Sequence, residues 1–142
     1  MSSWIDYPPP PSPGLGRTPP LLVESDQLDD FAAYFEQAGA NRVDIALVNA
    51  VDSFGVIESL KAALPFPAWC GSSWDSIEDA FEELRATWSF PSLMVLRSFD
   101  RLLADHAHLA LETTIRLHDL EQAFSAAGEQ LILAFEGVSW SS

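Results

Sequence analysis

The sequence predicts one α/β domain: a small parallel sheet covered by helices. Three observations point there. Short, largely apolar runs at 43–48, 92–96 and 131–135 have the length of buried strands. Segments with helical spacing of apolar residues lie before, between and beside them. And 142 residues, 48% of them hydrophobic, have the length of one domain and are enough to bury a real core. Continuously apolar strands separated by helices pair in parallel, with both sheet faces partly covered. The expectation is three strands, with 21–23 as candidate fourth strand from an N-terminal extension.

Taken in order, residues 1–20 hold seven of the ten prolines. They cannot form a helix or a central strand, and are expected to be a flexible, polyproline-like arm. The domain proper is placed at 21–142. After the Leu-Leu-Val run, Ser25 or Asp26 is expected to cap a helix whose apolar stripe is Leu28, Phe31, Ala32 and Phe35, ended by Gly39. The run at 43–48 reads as a buried strand. Ser53 then precedes a second helix carrying Val56, Ile57, Leu60 and Ala63, stopped by Pro65. Beyond the strand at 92–96, a short helix over 99–105 is expected to turn Leu102 and Leu103 inward. A longer one over 108–127 presents Leu111, Ile115, Leu117, Leu120 and Phe124, and Gly128 stops it before the last strand. Trp88 and Trp140 are read as core or edge packing.

The most informative stretch is 64–84, LPFPAWCGSSWDSIEDAFEEL. Pro65 and Pro67 hold its start extended, Gly71 permits a sharp turn, and Ser72 or Ser73 can cap the helix that follows. From there Trp74, Ile77, Phe81 and Leu84 fall on one face. Asp75, Glu78, Asp79, Glu82 and Glu83 spread over roughly 140° of the opposite face at about 100° per residue. No lysine or arginine lies within the run to pair with them at i,i+4.

Twenty-one acids against seven bases give a formal net charge of −14. Such a surface disfavours nucleic acid and anionic membranes and favours a basic protein partner. The single cysteine, Cys70, excludes an internal disulfide and fits a reducing compartment. No apolar run approaches the roughly 20 residues of a membrane helix. The first residues have neither the basic start nor the apolar stretch of a signal peptide, so a cytoplasmic protein is expected.

Element order and motif together resemble the barstar family, intracellular inhibitors of secreted ribonucleases. The likeness runs over 43–137 and is carried most specifically by Trp69, Gly71, Trp74, Asp75, Ile77 and Asp79, with Leu96-Arg97-Ser98-Phe99 and the Gly128–LILAF ending in agreement. The resemblance implies the family's three-stranded parallel sheet under helices. It also implies a function: the acidic helix and the loop before it plug a nuclease active site, carboxylates standing where RNA phosphates bind. On this basis Asp79 is the deepest carboxylate, Asp75 pairs with a neighbouring base, Trp69 packs on the edge of the cleft and Gly71 lets the backbone approach. The implied partner-binding set is Trp69, Gly71, Ser73, Asp75, Glu78, Asp79 and Glu82. The implied partner is a basic ribonuclease or toxin nuclease domain, bound one to one by a free monomer, with no cofactor, metal or catalysis of this chain's own. There are departures. Ser73 stands where the family has asparagine, Glu78 where an aromatic can stand, and Ala123 near a distal acid that some members carry; 42 residues precede the match. These leave the nuclease unidentified, and an acidic interaction module with another partner is the alternative.

Other chemistries fit less well. A calcium loop needs closely alternating oxygens around a glycine turn, whereas a helix splays its acids apart. Acid–base hydrolysis needs one carboxyl in an apolar pocket, and these acids oppose the core stripe. His106 and His108 are two apart, the wrong spacing for two ligands on one helix face. Cys70 beside a helix start could be an activated thiol, but burial is the simpler expectation. Ser72 and Ser73 lie outside any Gly-x-Ser-x-Gly frame.

Overall fold

The computed structural model describes Trp4, Ile5, residues 21–138 and Trp140. The rest of the proline-rich arm lies outside the described residues. Four strands form one all-parallel sheet: β1 (Leu21–Glu24), β2 (Asn41–Ala46), β3 (Ser92–Arg97) and β4 (Leu131–Gly137), in the order β1-β4-β3-β2. The extension therefore does supply a fourth strand, with Leu21 registered on Ala134 and Glu24 on Gly137. The helices are α1 (Leu28–Gln37), α2 (Ser53–Ala63), α3 (Trp74–Asp79), α4 (Phe81–Thr87), α5 (Phe99–Asp105) and α6 (Ala107–Ala126). None is long and apolar enough to cross a membrane.

The pleat divides the core in two, because successive strand residues point to opposite faces. Met94, Leu96, Leu131, Leu133 and Phe135 pack beneath α2 to α6. Leu93, Val95, Ile132 and Ala134 pack with Leu21, Val23 and the α1 residues Leu28, Ala32 and Phe35. Ile5 joins this second layer. Its N–H donates to Gln130 Oε1 at 2.6 Å, and Gln130 Nε2 donates back to its carbonyl at 3.0 Å.

Several expectations are corrected. β2 spans Asn41–Ala46 rather than 43–48 and is an edge strand, with only Ile45 of its residues buried. Its exposed side carries Arg42 and Asp44, paired at 2.8 Å, charges that blunt a free edge. Ser25 and Asp26 cap nothing: they form a 3-10 turn, and the Ser25 hydroxyl donates instead to buried Glu136. The cap of α2 is Asp52, accepting from the Gly55 N–H at 2.9 Å, while Ser53 is its first residue. Leu103 is exposed, and α5 buries Phe99 and Leu102. On α6, Leu111 and Ile115 face outward, and the buried face is Leu109, Ala110, Thr113, Leu117, Leu120 and Phe124. Helical spacing gave α6 two adjacent apolar stripes; packing against α5 and the sheet chose between them. Gly39 and Gly128 do end their helices, at φ of +106° and +86°, where a side chain is strained.

Candidate functional site

The segment between α2 and α4 is built as a ledge on the side away from α1. Leu64 ends α2 in extended geometry, as a residue before proline must. The chain then folds tightly enough for the Cys70 N–H to donate to Pro67 O at 3.0 Å. Cys70 is buried, and burial pushes its thiol up, with Asp79 adding to that and Lys61 opposing it. That is the reverse of an activated nucleophile. Trp69 stands out, 56% exposed, with its indole N–H donating to Glu83 Oε1 at 3.2 Å.

Of the two serines, Ser73 is the cap: its hydroxyl oxygen accepts from the Ser76 N–H at 3.1 Å. Ser72 is tied back to α2, donating to Glu58 and accepting from Lys61 Nζ at 3.2 Å. The Ser72 hydroxyl holds the Glu58 carboxyl below its ordinary range. Gly71 turns out to be required for closeness rather than for a left-handed turn. A Cβ there would sit 2.8 Å from Ser76 Oγ, which is itself held by Ser73 Oγ at 3.1 Å.

The predicted single helix is two. Ala80, at φ −88° and ψ 2°, separates α3 from α4, yet its carbonyl still accepts from the Leu84 N–H at 2.9 Å. The buried stripe consequently runs Trp74, Ile77, Ala80 and Leu84. Phe81, expected in that stripe, is half-buried, its ring 4.7 Å from that of Phe124 on α6.

All five acids are exposed, as expected, but they are not equivalent. Glu82 pairs with Arg85 at 3.3 Å on its own helix, and Glu83 is held by Trp69. Glu78 pairs with Arg116 of α6 at 3.6 Å. Among the described residues Asp75 and Asp79 form no ion pair. They stand one turn apart on α3, so the helix fixes their separation. The structure thus brings Trp69, Gly71, Ser73, Asp75, Glu78 and Asp79 onto one ledge and sets Glu82 on the next helix. Sequence reasoning missed Glu58 and Lys61, which brace the loop, and Arg116. No local signal marks Arg116, since it meets Glu78 only through tertiary packing of α6 on α3. Among the described residues no group of three or more His, Cys, Asp or Glu side chains is placed to hold a metal ion.

No protein-family model and no curated protein matches the chain. The likeness to barstars is therefore carried by the motif at 69–79 and by the order of elements, and what it implies about function stands as a proposal.

Proposed function

We propose that this chain is a non-enzymatic, intracellular inhibitor of a basic ribonuclease. It acts one to one, occluding the active site with α3 and the loop before it. The observation that carries this reading is the pair Asp75 and Asp79: two carboxylates with no counter-ion among the described residues, rigidly spaced on a capped helix beside an exposed tryptophan. A helix that already fixes its carboxylates loses little side-chain entropy when they are bound. Against arginine each can form charge-assisted, bidentate hydrogen bonds. The surrounding negative field draws in a cationic protein and repels RNA.

The test is capture from cell extract with the wild type and with Asp75→Ala/Asp79→Ala, followed by RNA cleavage by whatever is retained. The wild type should retain a ribonuclease and silence it. The double variant should bind it more weakly by several kcal/mol, because the nuclease's cations would be buried without partners. A retained ribonuclease that stays fully active in the complex overturns the proposal.

One observation favours a second reading, an acidic interaction module whose partner is not a nuclease. Glu78 and Glu82 are already engaged by Arg116 and Arg85, so the free acidic ridge is narrower than the sequence suggested. Capture of a basic protein without nuclease activity would select it.

A further inference from the structure

The outer side of β2 is open: among the described residues β3 is the only strand that pairs with it. Its unpaired main-chain groups can be assigned. The Asn41 N–H donates to Pro91 O at 2.9 Å, so Asn41 turns toward β3. Main-chain groups alternate along a strand. Those of Val43 and Ile45 therefore also face β3, and the N–H and C=O of Arg42, Asp44 and Ala46 face outward, a row that can template another strand. The side chains of Arg42 and Asp44 lie on the α1 face, Arg42 Nη1 standing 3.8 Å from Glu36 of α1. Val43 and Ile45 lie on the other face, against the layer under α2 to α6.

Charge decides which strand fits. In an antiparallel pair, outward-facing residues must meet outward-facing residues, so only alternate registers hydrogen-bond. Against a second copy of itself β2 has three central ones. Arg42 opposite Arg42, or Asp44 opposite Asp44, sets like charges together, which destabilises. The register centred on Val43 instead places Arg42 opposite Asp44 on both sides of the two-fold axis. Each such pair exchanges both N–H···O bonds, and the two half-buried Val43 side chains meet at the axis. The charges that blunt this edge toward other strands are complementary to themselves.

We propose that β2 is a homodimer interface: two copies pair antiparallel, edge to edge about Val43, and join their four-stranded sheets into one. The interface is isologous, so it closes at two chains and does not grow into a filament. It replaces the free monomer expected from the sequence. β2 packs mainly on β3, α1 and α2. The inference uses nothing of the reading of α3, and each chain of the dimer carries its own acidic ledge. Two opposing terms limit its strength. One strand edge is smaller than the roughly 1,200 Å² at which stable interfaces begin, and two copies at −14 each repel. At physiological salt that repulsion is screened over about 8 Å, whereas Arg42 and Asp44 are directly opposed across the axis. The dimer is weak, forming at sub-millimolar rather than nanomolar concentration.

Sedimentation equilibrium of the full-length chain at physiological salt, from micromolar to millimolar concentration, tests this. The mass should rise from one chain to two and no further. Arg42→Asp and Asp44→Arg each set like charges opposite and should each raise Kd about tenfold or more. Mixed together, these two variants should pair with each other. Arg42→Asp/Asp44→Arg should dimerise as the wild type does, since exchanging the charges preserves the register. Hydrogen exchange in the wild type needs no variant to fold: the Arg42 and Asp44 amides should slow as concentration rises, and the Val43 amide, already turned to β3, should not. A mass independent of concentration overturns the proposal. So does dimerisation unchanged in the single variants, or exchange at Arg42 and Asp44 indifferent to concentration. Failure of this inference leaves the ribonuclease reading standing, and failure to capture a ribonuclease leaves the dimer standing.

Discussion

Asp75 and Asp79 are available to a partner because of what their neighbours do. Ser73 satisfies the first turn of α3, and Trp74 and Ile77 turn the helix so that the positions between them face water. Ser73→Ala should therefore cost about 1 kcal/mol in urea unfolding, with Ser73→Asp restoring most of it. Removing the two aspartates should leave stability within about 0.5 kcal/mol of wild type, since neither side chain forms an ion pair or hydrogen bond among the described residues; a collapsed melting temperature would mean a structural role. Gly71 offers a sharper test. Gly71→Ala crowds Ser76 Oγ and should destabilise, but should cost less in a Ser76→Ala background, where only the Cβ remains, at an ordinary 3.5 Å. Equal cost in both backgrounds would show that crowding is not the reason for glycine there.

Elements are joined on the α1 side by a polar latch at the strand ends. Buried Glu136 of β4 accepts from the Ser98 N–H at 2.7 Å, from the Ser25 hydroxyl and from Arg97, which also reaches Asp44 of β2 at 3.0 Å. It ties β1's exit, β3's exit and β4 together, and it holds Ser98 in the left-handed region at φ +63°. Burial pushes the Glu136 carboxyl up, but Ser25, Ser98 and Arg97 together pull it below its ordinary range. Asp44 is likewise lowered, by Arg42 and Arg97 against burial. Carboxylates with lowered folded-state values stabilise fully above their unfolded-state range of about 4. That contribution disappears as pH falls through that range toward the folded-state values. Glu121 has the opposite sign, since burial raises it. Glu136→Gln should thus lose about 2 kcal/mol near neutrality and show a flatter decline in stability between roughly pH 5 and pH 3 than the wild type. Parallel curves would remove Glu136 from the latch.

At the scale of the whole molecule, the extension is part of the sheet. Leu21 and Val23 are almost fully buried, and without β1 and α1 the apolar face of Leu93, Val95, Ile132 and Ala134 would meet water. A chain beginning at Asn41, although it keeps three of the four strands, should aggregate or bind a hydrophobic dye. Soluble, cooperatively folding material would show that layer to be dispensable. The net charge acts at this scale too. Association with a basic partner should slow steeply as salt is raised, while dissociation changes little, because steering is screened over about 10 Å at 0.1 M salt and close-packed contacts are not.

Local rules settled much of this protein. Apolar runs fixed β3 and β4, glycines fixed the ends of α1 and α6, and the period of the 74–84 stretch fixed which of its residues meet water. Where two solutions were locally equal, only tertiary packing chose: the outward stripe of Leu111 and Ile115, the edge position of β2, the break at Ala80, and Arg116 as the counter-ion of Glu78. The physical reason is range. Periodicity, caps and turns are energies between residues a few positions apart and are written in order along the chain. Which face is covered, and which charge meets which across 38 positions, depends on elements that become neighbours only when the sheet closes.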